Sequence, residues 1–142
     1  MNSESVSVSE FRSLGKLSAY PTADGSFSLH SDHFGEAFHN SAGALNEAKA
    51  KFVEPAELKR FNNGRPLRIL DVCVGLGYNS AAIFNALQAH PKELVWWGLE
   101  LDQRPLQLAL DQKRFCDLWS QPVHQRLINI RDHGGWQEPN SQ

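Results

Sequence analysis

Asp71, Gly75, Gly77, Glu100 and Asp102 are the residues whose types and spacing could do chemistry. Gly75 and Gly77 form a Gly-x-Gly directly after the apolar run Leu67-Arg68-Ile69-Leu70-Asp71-Val72-Cys73-Val74. Neither carries a Cβ, so the backbone can turn tightly and approach a ligand closely. Glu100 ends a second apolar run, Leu94-Val95-Trp96-Trp97-Gly98-Leu99, with Asp102 just behind it. It lies roughly 20 residues beyond Gly77, the separation at which an acidic side chain meets the vicinal hydroxyls of a ribose. Two carboxylate oxygens can accept from two hydroxyls. The chemistry implied is recognition of a nucleoside. A dinucleotide fingerprint needs a further glycine three residues after the second. Ser80 stands there, which argues against a pyrophosphate cradle.

The elements that must hold these residues read as a strand, a turn, a helix and a second strand. A short apolar run bounded by turn residues is a buried strand. The run from Ser80 to Gln88 suits a helix, with Ala82, Ile83, Ala86 and Leu87 on its packing face and His90-Pro91 as its stop. Its first turn offers free N–H groups toward the ligand. Successive side chains of a strand point to opposite faces, so Trp96 and Trp97 predict that both faces of the second strand are covered. A lone Gly-x-Gly also describes an ordinary strand-to-helix turn; the acidic residue at the right distance favours a ligand site.

The chain has 142 residues, 41% of them hydrophobic and 21% charged, with a net charge of −2. One ordinary domain fits that length, and the charge gives no global basic signal for nucleic acid. Cys73 and Cys116 make no metal-ligand pattern, so no metal is expected. Cys73 reads as a small buried hydrophobe in the core strand, and a reducing cytoplasm fits. No apolar run approaches the ~20 residues that span a bilayer.

Along the chain, residues 1–9 are rich in Ser and Glu and read as disordered. Residues 20–31 carry a hairpin signal: Asp24-Gly25 at the turn, then Phe27 and Leu29 alternating with Ser26, Ser28 and His30. One apolar face is expected. Ser41 is a candidate N-cap for a helix over residues 42–53 with Ala44, Leu45, Ala48 and Phe52 on its apolar face, interrupted by Pro55. A short helix over 56–61 follows. Asn62-Asn63-Gly64-Arg65-Pro66 marks a subdomain boundary. Residues 104–118 read as one helix with Pro105 in its first turn and Leu106, Ala109, Leu110 and Lys113 along one side. A last helix opens at Ser120-Gln121-Pro122, carries Val123, Leu127 and Ile130 at helical spacing, and closes at Gly134-Gly135. A short strand over 127–130 is the alternative. Residues 136–142 read as a polar tail.

Several of these stretches resemble one family, the MnmC-like methyltransferase domain: Asp24-Gly25-Ser26-Phe27-Ser28-Leu29, the segment Gly35-Glu36-Ala37-Phe38-His39-Asn40-Ser41-Ala42-Gly43-Ala44-Leu45, Glu47-Ala48, Phe52-Val53, and residues 71–80. The resemblance covers roughly residues 20–102. It implies S-adenosylmethionine as cofactor, no metal, and methylation of the aminomethyl group on a modified wobble uridine of tRNA. By position it implies that Asp71, Gly75, Gly77 and Asn79 surround the methionine part of the cofactor. Glu100 would take the ribose hydroxyls with Asp102 beside it. Asp71 reads equally as a cap for backbone N–H groups, and Asn79 as a helix-start residue. Glu36, His39 and Ser41 would border the cofactor or the acceptor amine, or else make local turn bonds. The catalytic residue itself is unassigned.

The fold expected is α/β: an incomplete Rossmann-like methyltransferase fold, limited to its first two parallel strands with flanking helices and preceded by a small β-hairpin plus helix subdomain. Residues 1–19 would be a largely disordered N-terminus, 20–66 the hairpin and helix subdomain, and 67–142 the N-terminal half of the cofactor-binding domain. Such methyltransferases have further strands, an acceptor-binding segment and adenine-holding loops, and none is found here. The expectation is therefore a fragment or truncated product with little or no catalysis alone, bearing an unpaired edge on its most apolar strand. tRNA and a second chain supplying the missing strands are the expected partners, with no membrane. Two other functions share the features: an aminopropyltransferase of the spermidine-synthase type, which also has Glu-x-Asp after its second strand but a different glycine loop, and a non-catalytic binding or assembly module.

Overall fold

The computed structural model describes residues 14–138. Strands β1 (Leu17–Tyr20), β2 (Ser28–Ser31) and β3 (Glu36–Ala37) form an antiparallel sheet in the order β1-β2-β3. Order thus begins inside the stretch read as an unstructured N-terminus. Leu17 to Tyr20 find their backbone partners across the ladder, from Ser31 to Ser28, so few apolar side chains are needed to hold them. The rest of the disorder prediction, on residues 1–9, and the last residues of the predicted tail, 139–142, lie outside the described residues.

Phe27 and Leu29 are buried as expected, but so are Ser26, Ser28 and Ser31. Hydrogen bonds make that burial tolerable. The Ser26 hydroxyl accepts the Ala44 N–H at 2.8 Å, and Asp24 Oδ2 accepts the Asn46 N–H at 3.1 Å. The hairpin connection therefore caps helix α1 (Ala44–Ala48) from outside, and Ser41 is not its cap. The helix continues through a widened π turn at Lys49–Val53 into the short α2 (Glu54–Ala56), then a 3₁₀ turn at Leu58–Phe61. Pro55 lacks an N–H and its ring crowds the carbonyl four residues back, which the wider turn relieves. The added width swings Phe52 outward, contrary to its expected place on the apolar face, while Ala44 and Ala48 are fully buried.

The second sheet is a parallel pair, β4 (Leu67–Val72) and β5 (Leu94–Leu99), with Leu67 opposite Leu94 and Val72 opposite Leu99. Helix α3 (Tyr78–Leu87) makes the crossover. The single helix expected over 104–118 is two, α4 (Arg104–Leu110) and α5 (Lys113–Cys116). Gln112 is extended between them, and the Cys116 thiol donates to the Leu110 carbonyl at 3.2 Å, so α4's end is satisfied without a continuous helix. The break lets Phe115 turn fully into the core; Lys113 faces solvent. Helix α6 (Gln121–His133) ends at a left-handed Gly134, as the glycine pair predicts, and the strand alternative for 127–130 falls.

Alternation divides the parallel pair into two faces. Leu67, Ile69, Leu94 and Trp96 point into the cores built with α3, the π turn and α6. Leu70, Val72, Trp97 and Leu99 point the other way and are 61%, 60%, 50% and 56% exposed. The prediction that helices cover both faces of the sheet is thus overturned: every described helix that packs on the sheet packs on the inner face. Trp136 also departs from its expectation as part of a polar tail. Its ring packs on Phe84 at 5.2 Å and on Trp96 at 5.7 Å between centroids.

Candidate functional site

The turn leaving β4 adopts a left-handed backbone at alternate positions: Cys73 (φ 63°), Gly75 (φ 57°) and Gly77 (φ 90°). Glycine suits that region, and a side chain there is strained. Cys73 holds it because its N–H continues the ladder to Leu99 O at 2.8 Å. Cys73 is exposed rather than buried, contrary to the core-strand reading, because the strand ends one residue before it. At Gly77 a Cβ would also press on Leu106 Cδ1 at 3.1 Å, so packing as well as φ requires glycine.

The turn and the end of β5 are joined directly. The Gly75 N–H donates to Glu100 Oε2 at 2.7 Å. Glu100 Oε1 accepts from the N–H groups of Leu101 (2.8 Å) and Asp102 (2.9 Å). These bonds fix the carboxylate against the turn, although Glu100 itself is exposed. A carboxylate offers about four lone-pair sites. Three are occupied, so Glu100 Oε2 has one open to a hydroxyl, and a second becomes open if the ligand takes over the Gly75 N–H.

Asp102 stands beside Glu100, but its carboxylate is engaged. Both oxygens accept from the Arg104 guanidinium, at 2.9 Å from Nε and 2.7 Å from Nη2, and Oδ1 also takes the Arg104 N–H at 3.0 Å. The bonds from Arg104 hold its carboxyl below the usual range. Arg104 also donates to Gly15 O at 2.8 Å, tying the start of the described chain to α4.

Asp71 is on the inner face of β4, half-buried, and its Oδ2 accepts the Ser80 hydroxyl. Trp96 Nε1 donates to that same hydroxyl at 2.7 Å. Burial pushes the Asp71 carboxyl above its ordinary value, and the Glu100 charge adds to the effect. Asn79 lies half-buried in the first turn of α3, with no side-chain hydrogen bond among the described residues.

Of the upstream segment, Phe38 approaches the glycine turn: its ring lies 3.4 Å from where a Gly75 Cβ would be. His39 turns away. Its Nδ1 shares a hydrogen bond with Ser28 Oγ at 2.9 Å, its ring meets Tyr78 edge-on at 5.2 Å, and burial lowers its pKa. Glu36 and Ser41 are exposed. Tyr78 joins the two sheets. It is buried, donates to Phe27 O at 2.8 Å, and packs edge-on against Phe115 and Trp119. Sequence reasoning gave Phe38, Tyr78 and Trp96 no part in the site. Ser80 carried a signal, as the residue standing where a third glycine would be.

A β-α-β unit with parallel strands and a Gly-x-Gly turn bonded to a carboxylate at the end of the second strand is consistent with part of a Rossmann-like fold. Over 65% of its length this chain is similar to the crystal structure of MnmC2 from Aquifex aeolicus, at 33% sequence identity and a TM-score of 0.56. The described fold is MnmC-like, as the sequence resemblance implies. The match covers 33% of the MnmC2 chain, so this chain spans about a third of the length of that structure. A stretch of 61 residues, 43% of the chain, is 39% identical to an uncharacterized protein of Methanocaldococcus jannaschii and covers 16% of it. No protein-family model matches. Among the described residues, no helix is long and apolar enough to cross a membrane, and no three His, Cys, Asp or Glu side chains group as metal ligands.

Proposed function

We propose that this chain is the cofactor-binding part of an S-adenosylmethionine-dependent, tRNA-modifying methyltransferase of the MnmC type. The acceptor is the aminomethyl group of a modified wobble uridine. The observation that carries the reading is the 2.7 Å bond from the Gly75 N–H to Glu100, which puts the glycine turn and the β5 carboxylate within reach of one small ligand. The residues fit the cofactor. Glu100 would hold a ribose hydroxyl, the Gly75–Gly77 turn and Asn79 would surround the amino-acid part, and the Phe38 ring would wall the turn. S-Adenosylmethionine, when bound, supplies an electrophilic methyl group on a sulfonium. The protein's part is to bind, orient and exclude water, since positioning accounts for much of the rate of a transfer between two reactants.

Among the described residues the outer face of the sheet is largely bare and β4 has a free edge. A parallel sheet is ordinarily covered on both faces. Catalysis would therefore draw on further structure that pairs with β4, covers Leu70, Val72, Trp97 and Leu99, and brings the acceptor-binding groups.

Calorimetric titration with S-adenosylhomocysteine tests the reading. Gly75→Val and Glu100→Ala should each weaken binding about tenfold or more, the loss of one or two charge-assisted hydrogen bonds. Unchanged affinity in both variants would remove the cofactor assignment. Tighter binding of decarboxylated S-adenosylmethionine would redirect it to aminopropyl transfer.

A further inference from the structure

We propose that Ser80 and Trp96 are positioning residues that aim the Asp71 carboxylate at a cationic amine on the ligand. The inference rests on the cofactor reading and specifies how its amino-acid end is recognised. Hydrogen-bond direction along this chain of groups is forced. An indole N–H can only donate, so Ser80 Oγ must accept from Trp96 Nε1. The hydroxyl has a single proton, and that proton goes to Asp71 Oδ2. Oδ2 is thereby pinned, which fixes the plane of the carboxylate. Oδ1 takes no hydrogen bond among the described residues.

Three elements make the arrangement rigid. Asp71 belongs to β4, Ser80 to the first turn of α3 and Trp96 to β5. Ser80 is buried, and Trp96 is packed against Phe84 and Trp136. The free oxygen thus lies at the C-terminal end of the parallel strands, where ligands of such sheets sit.

Charge selects the class of group it receives. Asp71 and Glu100 are both acids at the mouth of the turn, residues 71–80 contain no Lys or Arg, and the nearby Arg104 is paired with Asp102. Two carboxylates repel a phosphate and attract an ammonium. Serine at position 80 has a use here that glycine lacks.

The test compares two ligands that share a nucleoside: S-adenosylhomocysteine, which carries the amine, and methylthioadenosine, which does not. The full chain is titrated with each. Ser80→Ala should weaken S-adenosylhomocysteine binding about tenfold and methylthioadenosine binding less than about twofold. Trp96→Phe keeps the ring packing but loses the donor, and should act in the same direction by about threefold. Asp71→Asn should bring the two ligands to similar affinity. Equal losses for both ligands, or no loss for either, would overturn the proposal while leaving the cofactor reading standing. A wild-type chain that binds neither ligand would overturn both.

Discussion

The two faces of the parallel sheet carry nearly the same residue types and have opposite fates. Leu67, Ile69, Leu94 and Trp96 on the inner face meet helices; Leu70, Val72, Trp97 and Leu99 on the outer face are half or more exposed among the described residues. Adjacent tryptophans show the difference best. Trp96 donates to Ser80 and packs on two aromatic rings, whereas Trp97 is half-exposed. The lesson is that an apolar strand records its need for cover on both sides, but not what provides it. Asp71, Ser80 and Trp96 are held through the covered side, so that part of the candidate site is fixed even though half the sheet is open.

The comparison breaks most visibly in the core. Phe84→Ala, at a fully buried position against Trp96 and Trp136, should cost ~3–5 kcal/mol in urea unfolding. Trp97→Ala on the other face should stay within ~0.5 kcal/mol of wild type. Similar costs would mean that the outer face is covered after all, for instance by self-association, which sedimentation would reveal.

Tyr78→Phe is next in size. It removes the bond to the Phe27 carbonyl, leaves that buried acceptor unsatisfied, and should cost ~1–3 kcal/mol by the same measurement. A negligible loss would mean that the hairpin sheet is held to the inner-face core by packing alone.

Asp71 tests the site on the covered side. Burial raises its carboxyl above the usual range in the folded protein. Its contribution to stability is complete below the unfolded pKa and is lost as pH rises through the higher folded value. Asp71→Asn loses no proton in that window and should therefore gain stability relative to wild type as pH rises through it. Unfolding midpoints at stepped pH read this directly, and parallel midpoints would refute it. Greater stability with weaker ligand binding is the trade expected of a group retained for function.

The smallest effect belongs to Cys73, just beyond the sheet. Relief of its left-handed backbone is worth ~1–2 kcal/mol, and the extra chain freedom of glycine offsets ~0.5–1 of that. Cys73→Gly should raise stability by ~0.5 kcal/mol. A clear loss would show that the thiol makes a contact that outweighs the strain.

Much of this architecture was legible in residue order because it depends on neighbours in the chain. The two parallel strands, the glycine turn, the crossover helix and the Gly134 stop follow from apolar period and from backbone conformations that few residues tolerate, although the first strand ends before Cys73 and not after it. The pairing of Glu100 with the turn was anticipated from spacing, since a β-α-β unit brings the ends of its strands side by side. Other features depend on particular contacts that apolar period does not encode. Asp24 and Ser26 cap α1 in place of Ser41. The wide turn before Pro55 turns Phe52 outward, and the thiol of Cys116 helps end α4. Asp102 is paired with Arg104, which spacing from the glycine turn does not reveal.

Local chemistry by itself determined the strand, turn, helix and acid, because hydrogen-bond period, Cβ sterics and chain length act over a few residues. Tertiary structure alone decided which carboxylates are open, which serine hydroxyl faces Asp71, and which side of the sheet lies bare. Those outcomes depend on which surfaces meet in space, and the order of residues along one strand does not specify its partners.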